Sequence, residues 1–508
     1  MATNEAETDV LIVGAGPTGL SLAIELGLRG VAAMVVERHP RTGNQPRAKT
    51  TNVRSLQHFR RWGIAPALRA AAPLPSDYPT DIVFATRLFG RTLAVIENAF
   101  EGAKRRDPRF PEPAQWVPQF TVEAVLREHV ETVPSVKIAF NTELVAAEQS
   151  DRNVTARVRD VTDGKERIVH TKYLIGADGA RSNVRPIMGA KMEGEHAYGI
   201  NYSLIMRVPE LVRAPPSRRA IMYWLINKET PAVMGPMDGE GRWYFGMTLP
   251  AGVEQPDDDT LRRQVCAAVG REIDIEILTR DVWAAHRLIA NRYRDRRIFL
   301  AGDACHLHPP FGGYGMNLGI ADGVDLGWKL AATLAGWGGP ELLDSYEHER
   351  RAVHQRTIAE AVENYRTLSA QLLKDNLDED SAAGEEARRA VGKEIERTKT
   401  REFKTLGVVL GSRYRESPII IDDGSTPPAE HHADFEPSAH PGCLAPHAWL
   451  PDGSSLYDHF GRGYTLLVLD DAAPADALVA AAKRAGVPLT VLNLSLIHIS
   501  EPTRQAEI

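Results

Sequence analysis

Gly14, Gly16 and Gly19 stand at a spacing that serves one chemistry well: a tight turn, a backbone that can touch a diphosphate with no Cβ in the way, and a helix packed close to its sheet. The flanks fit that use. Asp9 to Val13 is a short apolar run of strand type, and after Pro17 and Thr18 the residues Leu20, Ile24 and Leu28 recur at helical spacing. A helix starting there offers unpaired N–H groups and its positive dipole end to a phosphate. The next strand-like run, Ala32 to Val36, ends at Glu37 and Arg38, where a carboxylate can accept hydrogen bonds from a ribose diol. These residues predict a dinucleotide site without separating a nicotinamide from a flavin. A glycine-rich turn in any α/β protein is the plain alternative.

Two later segments add to the first. Lys172 to Ile175 reads as a strand entering a loop, Gly176 to Ser182, in which Asp178 can cap the following turn and Arg181 follows. Arg297 to Ala301 reads as a strand entering Gly302 and Asp303. A loop containing Pro309, Pro310, Gly312, Gly313 and Gly315 then leads into a long helix from about Met316 and Asn317.

In this order the three segments resemble the FAD-dependent aromatic hydroxylases, the class A flavoprotein monooxygenases that include para-hydroxybenzoate and phenol hydroxylases. The resemblance implies an α/β fold: a Rossmann-like FAD-binding domain interleaved with a β-rich substrate domain, a helical segment and a truncated thioredoxin-like C-terminal domain. It implies FAD as cofactor, with NADPH or NADH docking transiently as co-substrate. Asp178 and Arg181 would lie where flavin and nicotinamide meet. Asp303 would bind ribityl or ribose hydroxyls, and Gly313, Gly315, Met316 and Asn317 would present backbone N–H groups to the flavin pyrimidine edge. Gln45 to Ala48 resembles the segment whose arginine, here Arg47, reaches flavin or nicotinamide phosphates. Trp116 to Phe120 resembles the one in which a glutamine, here Gln119, contacts the ribityl chain. The implied reaction inserts one oxygen atom of O2 into a phenolic or polycyclic, polyketide-like aromatic through a flavin C4a-hydroperoxide. An FAD oxidoreductase without oxygen insertion and an inactive flavin-binding protein are the alternatives.

Catalytic side chains are not named by these motifs; Arg47, Tyr223 and Pro310 are the candidates. Residues Ile200 to Leu249 form a β-rich stretch dense in aromatics and methionines, and strand alternation allows only one of Tyr223 and Trp224 to face a pocket. Tyr223 is the one expected there. His306 and His308 invite a metal reading. No nearby carboxylate or cysteine cluster completes a tetrahedral site, and Cys305 should point the other way in an extended segment, so no metal is expected.

The elements that position these residues follow from patterning. The expected FAD-binding domain is discontinuous, residues 1–80, 100–185 and 280–345, and the substrate domain takes 81–99 and 186–279. A helical segment spans 346–410, with a long helix from Asp344 to Leu373 and a charge-dense, solvated one from Lys374 to Arg397; on the first, Tyr346, Arg350 and Arg351 read as surface and inter-helix packing. A linker follows at 411–447 and a partial thioredoxin-like unit at 448–494. Residues Ser495 to Ile508 resemble a translated sequencing-adapter tail and are read as non-native.

Composition sets the remaining bounds. With 508 residues and a net charge of −7, from 60 basic and 67 acidic side chains, the chain can bury a large core and has no electrostatic bias towards nucleic acid or an anionic membrane. Its 3 cysteines are far apart, which argues against a disulfide framework and for a reducing cytoplasm. A monomer or homodimer acting on a small aromatic substrate and O2 is the partner expectation.

Overall fold

The computed structural model describes residues 5–40, 48–249, 256–470 and 474–494. Arg47 and the tail from Ser495 onward lie outside them. Val10, Leu11, Ile12 and Val13 are almost wholly buried in succession, as a strand covered on both faces requires. Their strand, Glu5–Val13, is flanked in parallel by Ala33–Val36 and by Glu166–Gly176, which in turn pairs in parallel with Ile298–Leu300. Register matters most here. Val13 lies opposite both Val36 and Gly176, and Gly176 lies opposite Leu300. The four strands therefore end level, and the turns after them, at Gly14, Glu37, Ala177 and Ala301, open on one edge of the sheet.

The helix Pro17–Gly27 and the helix Gly315–Leu334 cross that edge together. Gly319, Gly323 and Gly327 recur every fourth residue on the second helix, and a Cβ on Gly323 would stand 2.7 Å from the Thr18 carbonyl oxygen. The small-residue stripe thus sets how closely the two helices approach. Val154–Asp160 and Thr142–Gln149 extend the sheet antiparallel from Glu166–Gly176.

A second eight-stranded sheet is built on two long antiparallel strands, Met192–Arg207 and Glu276–Ala290. It draws in Ile82–Ala85 and Thr92–Ile96 from between the dinucleotide segments, the former parallel to Met222–Leu225. His306–Leu307, directly after the Gly302 turn, pairs with Leu288 and Ile289. That pairing joins the two sheets at the site.

Three helical expectations change. The long helix spans Leu342–Tyr365 and stops short of Leu373, because the chain turns to bury Leu372 and Leu377 in the second core. The next helix is Ala382–Phe403, capped by Ser381, and it is not merely solvated: Val391, Ile395, Lys399 and Phe403 make a buried stripe against the second sheet. Tyr346 and Arg350 are buried, so the surface part of that expectation fails, while Arg350 does pack between helices, on Asp322. In the C-terminal region Tyr464–Val468 and Leu489–Asn493 pair in parallel, with the helix Asp476–Arg484 between them.

Candidate active site

Between the level strand ends and the second sheet lies a single cavity of about 1300 Å³. Its strand-end half is made largely of backbone. Gly14 has φ +108°, and a Cβ there would run into the Ala177 carbonyl and reach within 3.1 Å of Asp178 Cα. A Cβ on Gly19 would strike Gly14, whereas one on Gly16 meets nothing within 4 Å. Gly14 and Gly19 are thus glycines for the protein's own packing, and Gly16 faces open cavity. The helix beginning at Pro17 has no side-chain cap, which leaves its first N–H groups directed at that space. Glu37 fixes the turn, its carboxylate accepting from Ala15 N at 3.0 Å and His39 N at 3.0 Å. Asp178 accepts from Asn183 N at 2.7 Å through one oxygen; the other is buried without a partner, and burial raises the carboxyl pKa.

The loop from Gly302 to Gly315 forms the floor. A buried carboxylate anchors it: Asp322 accepts from Gly302 N (2.9 Å) and His306 Nε2 (3.2 Å) on one oxygen, and from Arg350 Nε (2.7 Å) and His354 Nε2 (2.9 Å) on the other. Burial alone would raise this carboxyl, but His354 and Arg350 hold it well below the usual carboxylate range. His354 is pushed down to about 3, by burial first, and as a neutral ring it accepts from Tyr293 Oη through Nδ1 at 2.8 Å. Cys305 completes a buried group of potential metal ligands with these residues. The expectation that no carboxylate approaches His306 is corrected, since Asp322 and His354 arrive from two helices. Even so, the guanidinium of Arg350 already supplies the cluster's positive charge, and a cation there would have to displace it. The cluster's evident effect is to lock the turn that carries Asp303 into the cavity.

Asn317 is a second lock. Its amide donates to Thr50 O (2.9 Å) and Gly313 O (2.7 Å), and its carbonyl accepts from Asn52 N (2.9 Å) and Ser55 Oγ (2.7 Å). All of its side-chain capacity is spent within the protein. It ties the Lys49 to Asn52 segment to the glycine loop.

The second-sheet half of the cavity is made of side chains. Met222, Trp224, Val233 and Tyr244 come from strands, Phe311 from the loop and Phe403 from a helix end. Lys399 lies over the Trp224 ring at 4.1 Å and is ion-paired with Glu402, which also faces the cavity. Lys49 lies over the Tyr244 ring at 4.1 Å.

Residues 7–361 match the family model described as "FAD binding domain". The chain is 34% identical over 483 residues to aklavinone 12-hydroxylase DnrF of Streptomyces peucetius, covering 92% of each protein. It is also similar to a RebC structure with bound 7-carboxy-K252c, with TM-score 0.89, 36% identity and coverage of 97% of this chain and 92% of that one. A ternary complex of aklavinone-11 hydroxylase with FAD and aklavinone superposes with TM-score 0.83 at 28% identity, covering 98% and 91%. The chain belongs to the FAD-dependent aromatic hydroxylase family. It is a flavoprotein aromatic monooxygenase.

For a hydroxylase of this family the cavity's two halves have distinct tasks. FAD, when bound, supplies the redox chemistry that activates O2. The residues present fit it: the uncapped helix start beyond Gly16 would take the diphosphate, Glu37 and Asp303 hydroxyl groups, and the first turn after Tyr314, again without a side-chain cap, the pyrimidine edge. Gly14, Gly16, Pro17, Thr18, Glu37, Arg38, Gln119, Asp178, Arg181, Asp303, Pro310, Gly313, Gly315 and Met316 all line the cavity. Gly19, Gly302 and Asn317 do not, and act from behind as packing or tethering residues. Gly302, at φ +63°, abuts Thr18, where a Cβ would not fit.

Tyr223 is the clear displacement. It points into the core on the opposite face, stacked on Trp243 at 5.9 Å, with its hydroxyl donating to Arg218 O and accepting from Ala220 N. Trp224 takes the cavity side. Lys49, Phe403, Glu402 and Asp322 were not singled out in the sequence. For Lys49 the available signal was a lone charge in the stretch Ala48 to Asn52; for the others there was none at short range.

Proposed function

We propose that this monooxygenase uses NADPH or NADH and O2 to hydroxylate a polycyclic, polyketide-like phenol, acting as a monomer or homodimer in the cytoplasm. The observation that carries the substrate class is the cavity. At about 1300 Å³ it exceeds the roughly 300–1,000 Å³ usual for a single ligand, so it has room for the flavin and for a fused-ring molecule beside it. Trp224, Tyr244, Phe311 and Phe403 offer flat apolar faces to such rings, and they exclude the water that would compete with productive oxygen transfer. Two relatives are named for aklavinone hydroxylation, and RebC is seen holding 7-carboxy-K252c. Among the described residues no helix is long and apolar enough to cross a membrane.

The test is substrate-stimulated oxygen uptake by FAD-loaded protein across phenols of one to four fused rings, with product mass. Uptake that is greatest with three or four rings, and a product heavier by one oxygen atom, is the expected result. Uptake confined to single-ring phenols, or turnover without oxygen gain, contradicts the reading.

A further inference from the structure

We propose that Lys49 is a catalytic residue that holds the substrate's reacting phenol as its phenolate. The inference rests on the reading of this cavity as an aromatic hydroxylation site and adds the group that ionises the ring.

The position comes first. Lys49 sits at the seam between the cavity's halves: its carbonyl accepts from Val117 N at 2.7 Å, and Thr50 beside it packs on Gly313 of the flavin-side loop. Its ammonium lies over Tyr244, which faces the same space from the second sheet. Asn317 clamps the backbone on either side of Thr51, at Thr50 and Asn52. The lysine therefore projects from a fixed segment to the place where a ring must lie to meet the flavin.

Its charge is the second observation. Among the described residues the Lys49 ammonium has no ion-pair partner, and it lies against the Tyr244 ring. Among the described residues, Lys399 is paired with Glu402, and Glu123 accepts from Gln119 Nε2 at 2.8 Å. His308 is pushed down to about 4, by burial first and then by His306, and is neutral at working pH. Burial lowers Lys49 itself to about 8. Near that pH both its forms are present. The free amine takes the proton of the phenol O–H through its lone pair, leaving an ammonium–phenolate pair; where the lysine is already an ammonium, the phenol proton leaves to solvent water and the ammonium attracts the phenolate that remains. No electron changes hands in this step. A phenolate is the more electron-rich ring, as attack by an electrophilic oxygen requires.

The experiment reads ionisation rather than turnover. 4-Nitrophenol, with one ring, and a monohydroxyanthraquinone, with three, both change colour on losing the phenol proton. Each is titrated with pH while bound to oxidised, FAD-loaded wild type, Lys49→Met and Lys49→Arg, with bound FAD content confirming that the variants fold. In wild type the midpoint of a bound probe should fall by about 1–3 pH units below its free value, the effect of an opposite charge within a few ångströms. The fall should vanish in Lys49→Met and persist in Lys49→Arg. A fall that survives in Lys49→Met, or no fall in wild type, overturns the assignment of Lys49. Preference for the one-ring probe, with the fall intact, would leave Lys49 standing and sink the polycyclic reading instead.

Discussion

The two halves of the cavity are built from different materials. The strand-end half is backbone: turns after four level parallel strands, two uncapped helix starts, and glycines whose missing side chains define the space. The second-sheet half is side chains, contributed by strands, a loop and a helix that lie far apart in the chain. Backbone geometry is shared by every protein that uses the same turn, so it suits an invariant cofactor. Side chains can be exchanged one at a time without moving the frame, so they suit a substrate that differs between relatives. Substitutions in the two halves should accordingly fail in different ways.

The largest expected effect is on the frame itself. Asp322→Asn removes the charge that Arg350 is buried against, and breaking such a pair costs about 3–5 kcal/mol. The melting temperature should drop by roughly 3–5 °C, with FAD lost at lower temperature than in wild type; an unchanged melting curve would mean that the cluster is not an anchor. Next is Gly14→Val. Strain at positive φ costs about 1–3 kcal/mol before the collision with Ala177 is counted, so FAD affinity should fall by at least roughly tenfold in a flavin titration.

In the side-chain half the contrast is between neighbours. Trp224→Ala should raise the Kd of a three-ring phenol by roughly 10- to 100-fold, about 1.5–3 kcal/mol of apolar contact, with FAD affinity unchanged. Tyr223→Phe should do the reverse: it leaves the buried Ala220 N–H without its acceptor, lowering stability by about 1–3 kcal/mol while the phenol Kd stays put. Equal effects of both on ligand binding would erase the distinction between the two faces of that strand.

The smallest effect is a pH dependence of the frame. His354, held at about 3 in the folded protein, binds a proton more readily once unfolded, at about 6.5. Its contribution is present above pH 6.5 and is lost as pH falls towards 3; Asp322, also held low, adds to the loss below about pH 4. Melting temperature should decline across that window, and His354→Gln should flatten the upper part of the decline.

What the sequence disclosed follows the same division. The Gly14 turn, the Asp178 loop and the Gly302 to Gly315 loop were legible because each is contiguous and each follows an apolar strand. Their convergence on one edge was not written in any of them; it depends on the register that sets Val13 against Gly176 and Gly176 against Leu300. Trp224 and Tyr223 could be named but not sorted, since alternation fixes that they point apart and only the packing of Tyr223 on Trp243 decides which way. Asp322 and His354, and the role of Arg350 beside them, were hidden because the cluster joins two helices and a turn through side chains alone. The stretch Lys374 to Arg397 read as solvated because its charges outnumber the buried Val391 and Ile395, and it ended before Lys399 and Glu402, the buried ion pair on the same helix.

The claim that the two halves form one continuous space is tested most directly by titrating FAD-loaded protein with 1-naphthol and with larger, colourless fused-ring phenols while watching the visible absorbance of the bound flavin. A saturable, single-site change in the flavin spectrum, shifted to roughly 10- to 100-fold higher phenol concentration in Trp224→Ala, is the result expected of a ring lying beside the flavin. Saturable phenol binding by calorimetry that leaves the flavin spectrum untouched would contradict it.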